Sequence, residues 1–327
     1  MYIISMGTAH PQGRINNEFL EEINSECSAA WIREKIGIES RATSLPLDYI
    51  RETLNTEPQL APGVATASAT TLGVEAARLA LDRAGLDAGE IGLVICNTCR
   101  PDYCFPTQGQ RIADILGISG VSYDVMSACP AFALHVDYLN RFRVDQLPSY
   151  VMCISTAALT QNVDYRDRTD SAIWGDGAAA WIVAPKVAGK LKVLDTFFDG
   201  DPLRAGAVVV DRFGFFHQDG RAVRDFSVRQ TVRLIKRLEG LYSIDWTKDI
   251  FIGHQANRTM LEQIARNREI PDKNHWHNVT HLGNQAGAGA PAVLSENWES
   301  LRGGQRVVVA VVGAGLSWGS VLFEVQE

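Results

Sequence analysis

Short apolar runs alternate with amphipathic segments along the whole chain, and this alternation limits the possible folds more than any other feature. The apolar runs have the length and β-branched content of buried strands: 91–97 (IGLVICN), 149–155 (SYVMCIS), 178–184 (AAAWIVA), 249–254 (DIFIGH) and 306–312 (RVVVAVV). Between them, residues 69–85 and 257–269 have the spacing of amphipathic helices. Buried strands alternating with helices predict an α/β fold whose sheets are covered on both faces.

A faint internal repeat predicts how these elements are organised. MYIISMGTA at the start is similar to KLKVLDTFFDG (190–200), and IFIGHQANRTMLEQIARN is a counterpart of LVICNTCRPDYCFPTQGQRIADIL. In both AIWGDGAAAWIVA and VVGAGLSWGSVLFEV, a glycine turn precedes a strand. We therefore expect two similar α/β halves, residues 1–186 and 187–327. Because no low-complexity linker separates them, the halves should form one compact unit.

Charge and cysteine content exclude several classes of protein. The net charge of −7 over 327 residues argues against nucleic acid as a general partner. There is no signal-peptide pattern and no apolar run of about 18 residues, so we expect neither export nor a membrane span. Six scattered cysteines without an export signal indicate free thiols in a cytoplasmic protein.

Cys129, in MSACPAF, is the first candidate for chemistry. VSYDVMSAC has the pattern of a buried strand, and a helix should start at Pro130, since proline is favoured at the first helical position. Cys129 would then sit at a strand-to-helix turn beside a helix N-terminus, where the pKa of a thiol falls. A buried structural cysteine is the alternative, and the local sequence leaves both interpretations open.

His254 and Asn284 are the candidate partners of a nucleophile. His254 ends a predicted strand in FIGHQAN, and Asn284 lies in a glycine-rich loop, HLGNQAGAGAP. Taken singly, a structural role suits each of them better. The HWH (275–277) and CNTC (96–99) motifs lack the further ligands that a tetrahedral metal site needs, so we expect no metal.

Two glycine loops could suggest a nucleotide site. However, WGDGAAAW (174–181) and VGAGLSWGS (312–319) each lead into a strand, which does not fit the dinucleotide fingerprint. They indicate instead a close approach of the backbone, with amides near 313–315 available for an oxyanion hole.

Together these segments resemble the ketoacyl-acyl-carrier-protein synthase III family of the thiolase fold. The resemblance runs along nearly the whole chain, in the family's order: WIREKIGIESR, FPTQGQRIADILG, SACPAF, WGDGAAA, DGRAVRDFSVR, HQAN, GNQAGAGAP and GAGLSWGS. It implies a layered αβαβα core and a catalytic triad of Cys129, His254 and Asn284. With this resemblance, the nucleophile interpretation of Cys129 is preferred.

The resemblance also implies a reaction. Cys129 takes an acyl group from a thioester, and the amides of Cys129 and Ala314 hold the oxyanion. His254 and Asn284 then stabilise the enolate formed when a malonyl thioester loses CO2, and this enolate attacks the acyl-cysteine. No cofactor is required beyond the coenzyme A or phosphopantetheine thioester substrates.

Binding contacts follow from the same resemblance. Coenzyme A is expected to contact Trp31, Lys35, Arg168 and Asn257. Trp31 and Arg168 would stack on its adenine. A basic surface is expected to dock an acidic carrier protein: Arg233, Lys236, Arg237 and Arg258. The family forms homodimers, which implies that 148–156 pairs across the two-fold axis and that Phe105 reaches the partner's acyl pocket.

Several departures from the family's pattern indicate a specialised paralogue in fatty-acid or polyketide-like biosynthesis. QAGAGAP follows the asparagine, Pro130 follows the cysteine, and Lys35 replaces an arginine that could make bidentate contacts. Acyl transfer to an alcohol or amine, the joining of two long acyl chains, and a non-catalytic partner subunit are the alternatives. A non-catalytic partner subunit should have lost Cys129 or His254, and this chain keeps both.

Overall fold

The computed structural model describes residues 1–212 and 214–327, which contain thirteen strands and twelve α-helices. The strands are β1 (Tyr2–Ala9), β2 (Gly13–Asn16), β3 (Ser40–Thr43), β4 (Ile91–Thr98), β5 (Val121–Asp124), β6 (Tyr150–Ala157), β7 (Gly177–Ala184), β8 (Leu191–Gly200), β9 (Val208–Val210), β10 (Phe216–Gln218), β11 (Ile250–Gly253), β12 (Arg306–Gly313) and β13 (Ser317–Val325). The helices are α1 (Asn17–Ile23), α2 (Ala29–Lys35), α3 (Leu47–Thr53), α4 (Ala61–Val64), α5 (Ala69–Ala84), α6 (Gln108–Leu116), α7 (Ala131–Asn140), α8 (Arg168–Ser171), α9 (Gly220–Leu241), α10 (Arg258–Asn267), α11 (Val279–Leu282) and α12 (Gly289–Glu296).

Helix boundaries follow local capping chemistry. Helix α5 begins after Ser68, whose hydroxyl accepts from the amide of Thr71 while the Thr71 hydroxyl accepts from the amide of Ser68. It ends at Gly85, which has a left-handed φ of 64° that favours glycine. The helices predicted over 69–85 and 257–269 are thus confirmed as α5 and α10.

Nine strands form one sheet in the order β11-β12-β13-β8-β1-β7-β6-β4-β5. In the N-terminal half β1, β7 and β6 are antiparallel neighbours, and β6 is parallel to β4. The C-terminal half repeats this pattern, since β8, β13 and β12 are antiparallel and β12 is parallel to β11. The predicted repeat is therefore a repeat of topology, and β1 joins the halves by pairing with β8 at Tyr2 and Ile3.

Alternate residues of each strand enter different cores, which separates the helices into layers. In β12, Val307 and Val309 face α7 and α12, whereas Val308 faces α9 and α10. In β6, Val151 faces the same central helices and Met152 faces α5 and α6. The result is the predicted αβαβα arrangement, with α7 and α12 between the two halves of the sheet.

Two expectations about strands were wrong. The segment before Cys129 forms only the short strand β5, which lies at the sheet edge with Val121 66% exposed. Residues 148–156 contribute the interior strand β6, whose hydrogen-bonding edges are taken by β4 and β7. This strand is therefore unable to pair with a second subunit, and the free edge of this half belongs to β5.

Candidate active site

Cys129 lies at the turn between β5 and α7. Ala128 has a left-handed φ of 48°, an unfavourable conformation for a residue with a side chain. Pro130 caps α7 without a side-chain hydrogen bond, and the helix begins at Ala131, one residue later than predicted. The turn therefore aims Cys129 inward, where it is 9% exposed, next to the uncapped amides of α7.

Two backbone amides lie close enough to the Cys129 thiol to lower its pKa. They belong to Ala314, which follows β12, and to Cys129 itself, the pair predicted for the oxyanion hole. Gly313 makes the close approach possible, because a Cβ there would lie 2.6 Å from Cys129 Cβ and 2.7 Å from Pro130 Cδ. Glycine at this position brings the C-terminal half against the thiol.

The pKa of Cys129 differs from the prediction. Burial raises the pKa of the Cys129 thiol well above its usual range, and the nearby Cys99 raises it further. The Ala314 amide and the thiol's own amide lower the pKa but do not compensate for burial. The expectation of a lowered pKa was wrong, because desolvation outweighs the helix dipole.

His254 follows β11, which ends at Gly253. The side chain is buried, and its Nδ1 has no hydrogen-bond partner among the described residues. Burial lowers the pKa of His254 to about 4, so the imidazole is neutral at pH 7. A neutral imidazole suits donation of a hydrogen bond to a developing oxyanion without a fixed charge in the pocket.

Asn284 is held by a small β-bridge. Its amide donates to the Ile173 carbonyl at 2.9 Å, and its carbonyl accepts from the Gly175 amide at 3.1 Å. The side-chain Oδ1 accepts from the Ala286 amide at 2.9 Å. Since Oδ1 is occupied by a backbone donor, Nδ2 is left to donate toward a ligand.

One cavity of about 360 Å³ brings Cys129, His254 and Asn284 together, although they lie up to 155 positions apart in the sequence. Gly287 lies against the turn that carries Cys129, because a Cβ there would lie 2.5 Å from the Ala128 carbonyl oxygen. The turn after Asn284 therefore packs directly on the turn that carries Cys129.

Three of the four residues predicted for coenzyme A line the same cavity: Trp31, Lys35 and Asn257. The Arg168 guanidinium lies 5.3 Å from the centre of the Trp31 ring, so the predicted stacking partners face each other. Lys35 pairs with Glu34 at 2.6 Å. Asn257 caps α10 by accepting from the Met260 amide at 2.8 Å.

The residues predicted for carrier-protein docking divide into two groups. Arg237 makes a bidentate pair with Asp195 at 2.6 and 3.1 Å, and Arg258 pairs with Glu262 at 2.7 Å. These two arginines already serve contacts within the chain. In contrast, Arg233 and Lys236 are exposed on α9.

Phe105 lies outside the cavity and is 86% exposed, an unusual environment for a phenyl ring. Sequence reasoning did not identify several residues that line the cavity: Trp174, Phe216, Arg221, Arg224 and Met260. Trp174 belongs to the motif WGDGAAA, and Arg221 and Arg224 belong to DGRAVRDFSVR. Their presence in those motifs was the available signal.

Within the described residues, no three His, Cys, Asp or Glu side chains converge as metal ligands. All six cysteines, each in the described part of the chain, are free thiols. Among the helices of residues 1–212 and 214–327, none combines the length and apolar character required to cross a bilayer.

Two family profiles match the sequence. The profile described as 3-oxoacyl-[acyl-carrier-protein] synthase III matches residues 123–202. A second profile, which describes the C-terminal part of the same enzyme, matches residues 246–325. The β-ketoacyl-[acyl-carrier-protein] synthase III of Porphyra purpurea is 28% identical over 348 residues, covering 100% of this chain and 99% of its own. That of Campylobacter curvus (strain 525.92) is 26% identical and covers 98% and 96%.

Solved structures agree with the sequence matches. The 3-oxoacyl-[acyl-carrier-protein] synthase III of Aquifex aeolicus VF5 superposes with a TM-score of 0.87 at 25% identity and covers 99% of both chains. The priming β-ketosynthase of the R1128 polyketide pathway has the same fold, with a TM-score of 0.82 at 23% identity, covering 100% of this chain and 96% of its own. The predicted thiolase fold is confirmed.

Proposed function

We propose that the cavity of this chain, which belongs to the β-ketoacyl-acyl-carrier-protein synthase III family, joins an acyl group on Cys129 to a malonyl thioester with loss of CO2. The chain is a condensing enzyme of the acyltransferase class. The observation that carries this proposal is the convergence of Cys129, His254 and Asn284 on one cavity. A simple acyltransferase or a non-catalytic subunit would not need all three.

The first half-reaction is acyl transfer to the cysteine. The Cys129 sulfur attacks the thioester carbonyl, and the amides of Cys129 and Ala314 stabilise the oxyanion. The intermediate collapses with cleavage of the donor's carbon–sulfur bond, and the leaving thiolate takes the proton lost by Cys129. The products are acyl-cysteine and a free thiol, such as that of coenzyme A.

The second half-reaction forms the carbon–carbon bond. The malonyl carboxylate leaves as CO2, and its bonding electrons become an enolate whose oxygen accepts hydrogen bonds from His254 and Asn284 Nδ2. The enolate carbon then attacks the acyl-cysteine carbonyl, and the Cys129 sulfur leaves and regains a proton. The product is a β-ketoacyl thioester. Each donor aimed at the enolate oxygen is worth roughly 3–4 kcal/mol.

Coenzyme A and an acyl carrier protein are the proposed thioester carriers. The proposal that Trp31, Lys35 and Asn257 hold the nucleotide end is supported by their position in the cavity lining and by the Arg168 guanidinium over the Trp31 ring. The chemistry requires no metal or redox cofactor. A specialised biosynthetic pathway, in fatty-acid or polyketide-like synthesis, fits the departures at Lys35 and after Asn284.

Intact-protein mass spectrometry tests this proposal directly. Wild type and Cys129→Ala are incubated with a panel of acyl-coenzyme A donors, and malonyl-carrier protein is then added. We expect a mass increase of one acyl group in wild type alone, followed by its loss and formation of β-ketoacyl-carrier protein. If no donor acylates wild type, the condensing-enzyme proposal is wrong for this chain and a partner-subunit role takes its place.

We also propose that the active form is a homodimer that pairs at β5. This strand is a free sheet edge, and large apolar side chains near it are exposed: Tyr103 (55%), Phe105 (86%), Val121 (66%) and Met126 (56%). Light scattering should give twice the mass of the chain, and Val121→Lys should produce monomers. A monomeric wild type at micromolar concentration would contradict this assembly.

A further inference from the structure

Arg41 is the most unusual buried group outside the residues that line the cavity. Its side chain is fully buried in β3, yet no carboxylate pairs with it among the described residues. Instead, Nε and Nη2 both donate to the Ala172 carbonyl, at 2.9 and 2.6 Å, and Nη1 donates to Asn17 Oδ1 at 2.6 Å. Leaving a buried cation without a counter-ion is expensive, so such a group needs an explanation.

The carbonyl that Arg41 holds begins the segment on which Asn284 rests. The next three residues, Ile173–Gly175, supply the backbone of the bridge that fixes Asn284. The Arg41 stem also lies directly beneath Gly283, where a Cβ would meet Arg41 Cγ at 2.8 Å. Arg41 thus touches both sides of the bridge but does not line the cavity.

The rest of β3 contacts the same two segments. On one side, the Glu39 amide and the Ser40 hydroxyl donate to carbonyls of α11, those of Thr280 and His281, each at 2.7 Å. On the other side, the Asp176 amide donates to the Ala42 carbonyl at 2.8 Å. Residues 39–42 therefore clamp the helix before Asn284 to the segment beside it.

We propose that Arg41 is a positioning residue for Asn284, and that it acts in the condensation half-reaction but not in acylation of Cys129. This rests on the proposed function. A guanidinium can hold one carbonyl with two parallel donors while its stem supports Gly283, and neither lysine nor glutamine reproduces both contacts. The amides that serve acylation, from Cys129 and Ala314, lie on other loops.

The first test measures position without catalysis. Hydrogen exchange followed by mass spectrometry compares wild type, Arg41→Gln and Arg83→Gln. Arg83 is a control because it also donates to backbone carbonyls, those of Met6 and Ser295, away from the cavity. We expect faster exchange at 172–176 and 279–286 in Arg41→Gln alone, with 125–135 unchanged. Unchanged exchange at 279–286 would overturn the proposal.

The second test separates the half-reactions. Acylation of Cys129 by acyl-coenzyme A should change less than about 3-fold in Arg41→Gln, whereas condensation with malonyl thioester should fall about 10- to 100-fold. Arg41→Lys should recover part of that loss. In an Asn284→Ala background, Arg41→Gln should cost nothing further, because the group it positions is already absent.

Arg41 would have a purely structural role if Arg41→Gln slowed acylation and condensation equally. The same would follow if Arg41→Gln slowed condensation further in the Asn284→Ala background. If wild type is acylated but forms no β-keto product, the proposed function fails while the exchange test still decides the positioning role. Should Arg41→Gln not fold, Arg41→Lys provides the second variant, since it keeps the charge and loses the paired donors to the Ala172 carbonyl.

Discussion

The two halves of the molecule share one strand order but contribute different chemistry to the cavity. The N-terminal half supplies Cys129 from the N-terminus of α7, whereas the equivalent helix of the other half, α12, begins at Gly289 with no nucleophile. The C-terminal half supplies His254 after β11, where the equivalent strand β4 is followed by Cys99. The repeated scaffold therefore fixes where loops meet, and in the proposed reaction the residues on those loops assign acylation to one half and enolate stabilisation to the other.

Loss of the nucleophile tests this division most strongly. Cys129→Ala should abolish acylation, a loss on the order of 10⁶-fold in turnover, because it removes the sulfur proposed to carry the acyl group. Quantitative mass spectrometry of the acyl-enzyme is the measurement. Cys99→Ala is the control and should still be acylated. Cys99 follows β4 in the N-terminal half as His254 follows β11 in the C-terminal half. A full acyl adduct on Cys129→Ala would show that the nucleophile lies elsewhere.

The C-terminal contribution should separate from the first step. Asn284→Ala and His254→Ala should each lower condensation by about 10²–10³-fold, since each removes one donor to the enolate oxygen, and should leave Cys129 acylation nearly intact. Release of ¹⁴CO2 from labelled malonyl thioester reports the affected step. If acylation falls as far as decarboxylation does, the two halves do not act on separate steps.

A buried histidine in each half makes stability depend on pH. Burial lowers the pKa of His135, in α7, and of His254 to about 4. Both are neutral when folded, so the unfolded chain binds more protons below about pH 6.5, and stability is lost as the pH falls from there toward 4.

His135→Gln should remove about 2 kcal/mol of the free energy of unfolding that wild type loses between pH 7 and pH 5. Glutamine keeps a donor for the Val125 carbonyl, which accepts from His135 Nε2 at 2.8 Å. Urea unfolding at the two pH values measures the difference, with the exposed His217→Gln as control. An unchanged pH slope would mean that His135 is not a source of the acid sensitivity.

The smallest predicted effect concerns the basic residues of α9. Arg233→Ala should raise KM for a carrier-protein substrate about 3- to 10-fold, mainly at low salt, and leave KM for the coenzyme A thioester unchanged. Arg237→Ala should instead lower the melting temperature, because it leaves Asp195 without its bidentate partner. If Arg237→Ala raised KM for the carrier-protein substrate and Arg233→Ala did not, the docking surface would lie around Arg237.

Local sequence was sufficient for much of the fold. The amphipathic spacing of 69–85 and the strand-length apolar runs predicted α5 and the interior strands closely, because these signals act over a few residues. It failed at β5, where an apolar, strand-like pattern gave a short edge strand. Periodicity does not distinguish a strand covered by its own chain from one with an unpaired edge.

Residue type and spacing along the chain predicted the repeat and the α/β class, and the resemblance to a known family predicted the layered core and the three side chains proposed for catalysis. Tertiary structure alone decided how those side chains behave. Burial raised the pKa of Cys129 against the helix dipole, and Ala286 oriented the Asn284 amide. It also placed Arg41 under Gly283, a contact between positions 242 apart. Desolvation and hydrogen bonding depend on what surrounds a group in space, and those neighbours come from remote parts of the chain.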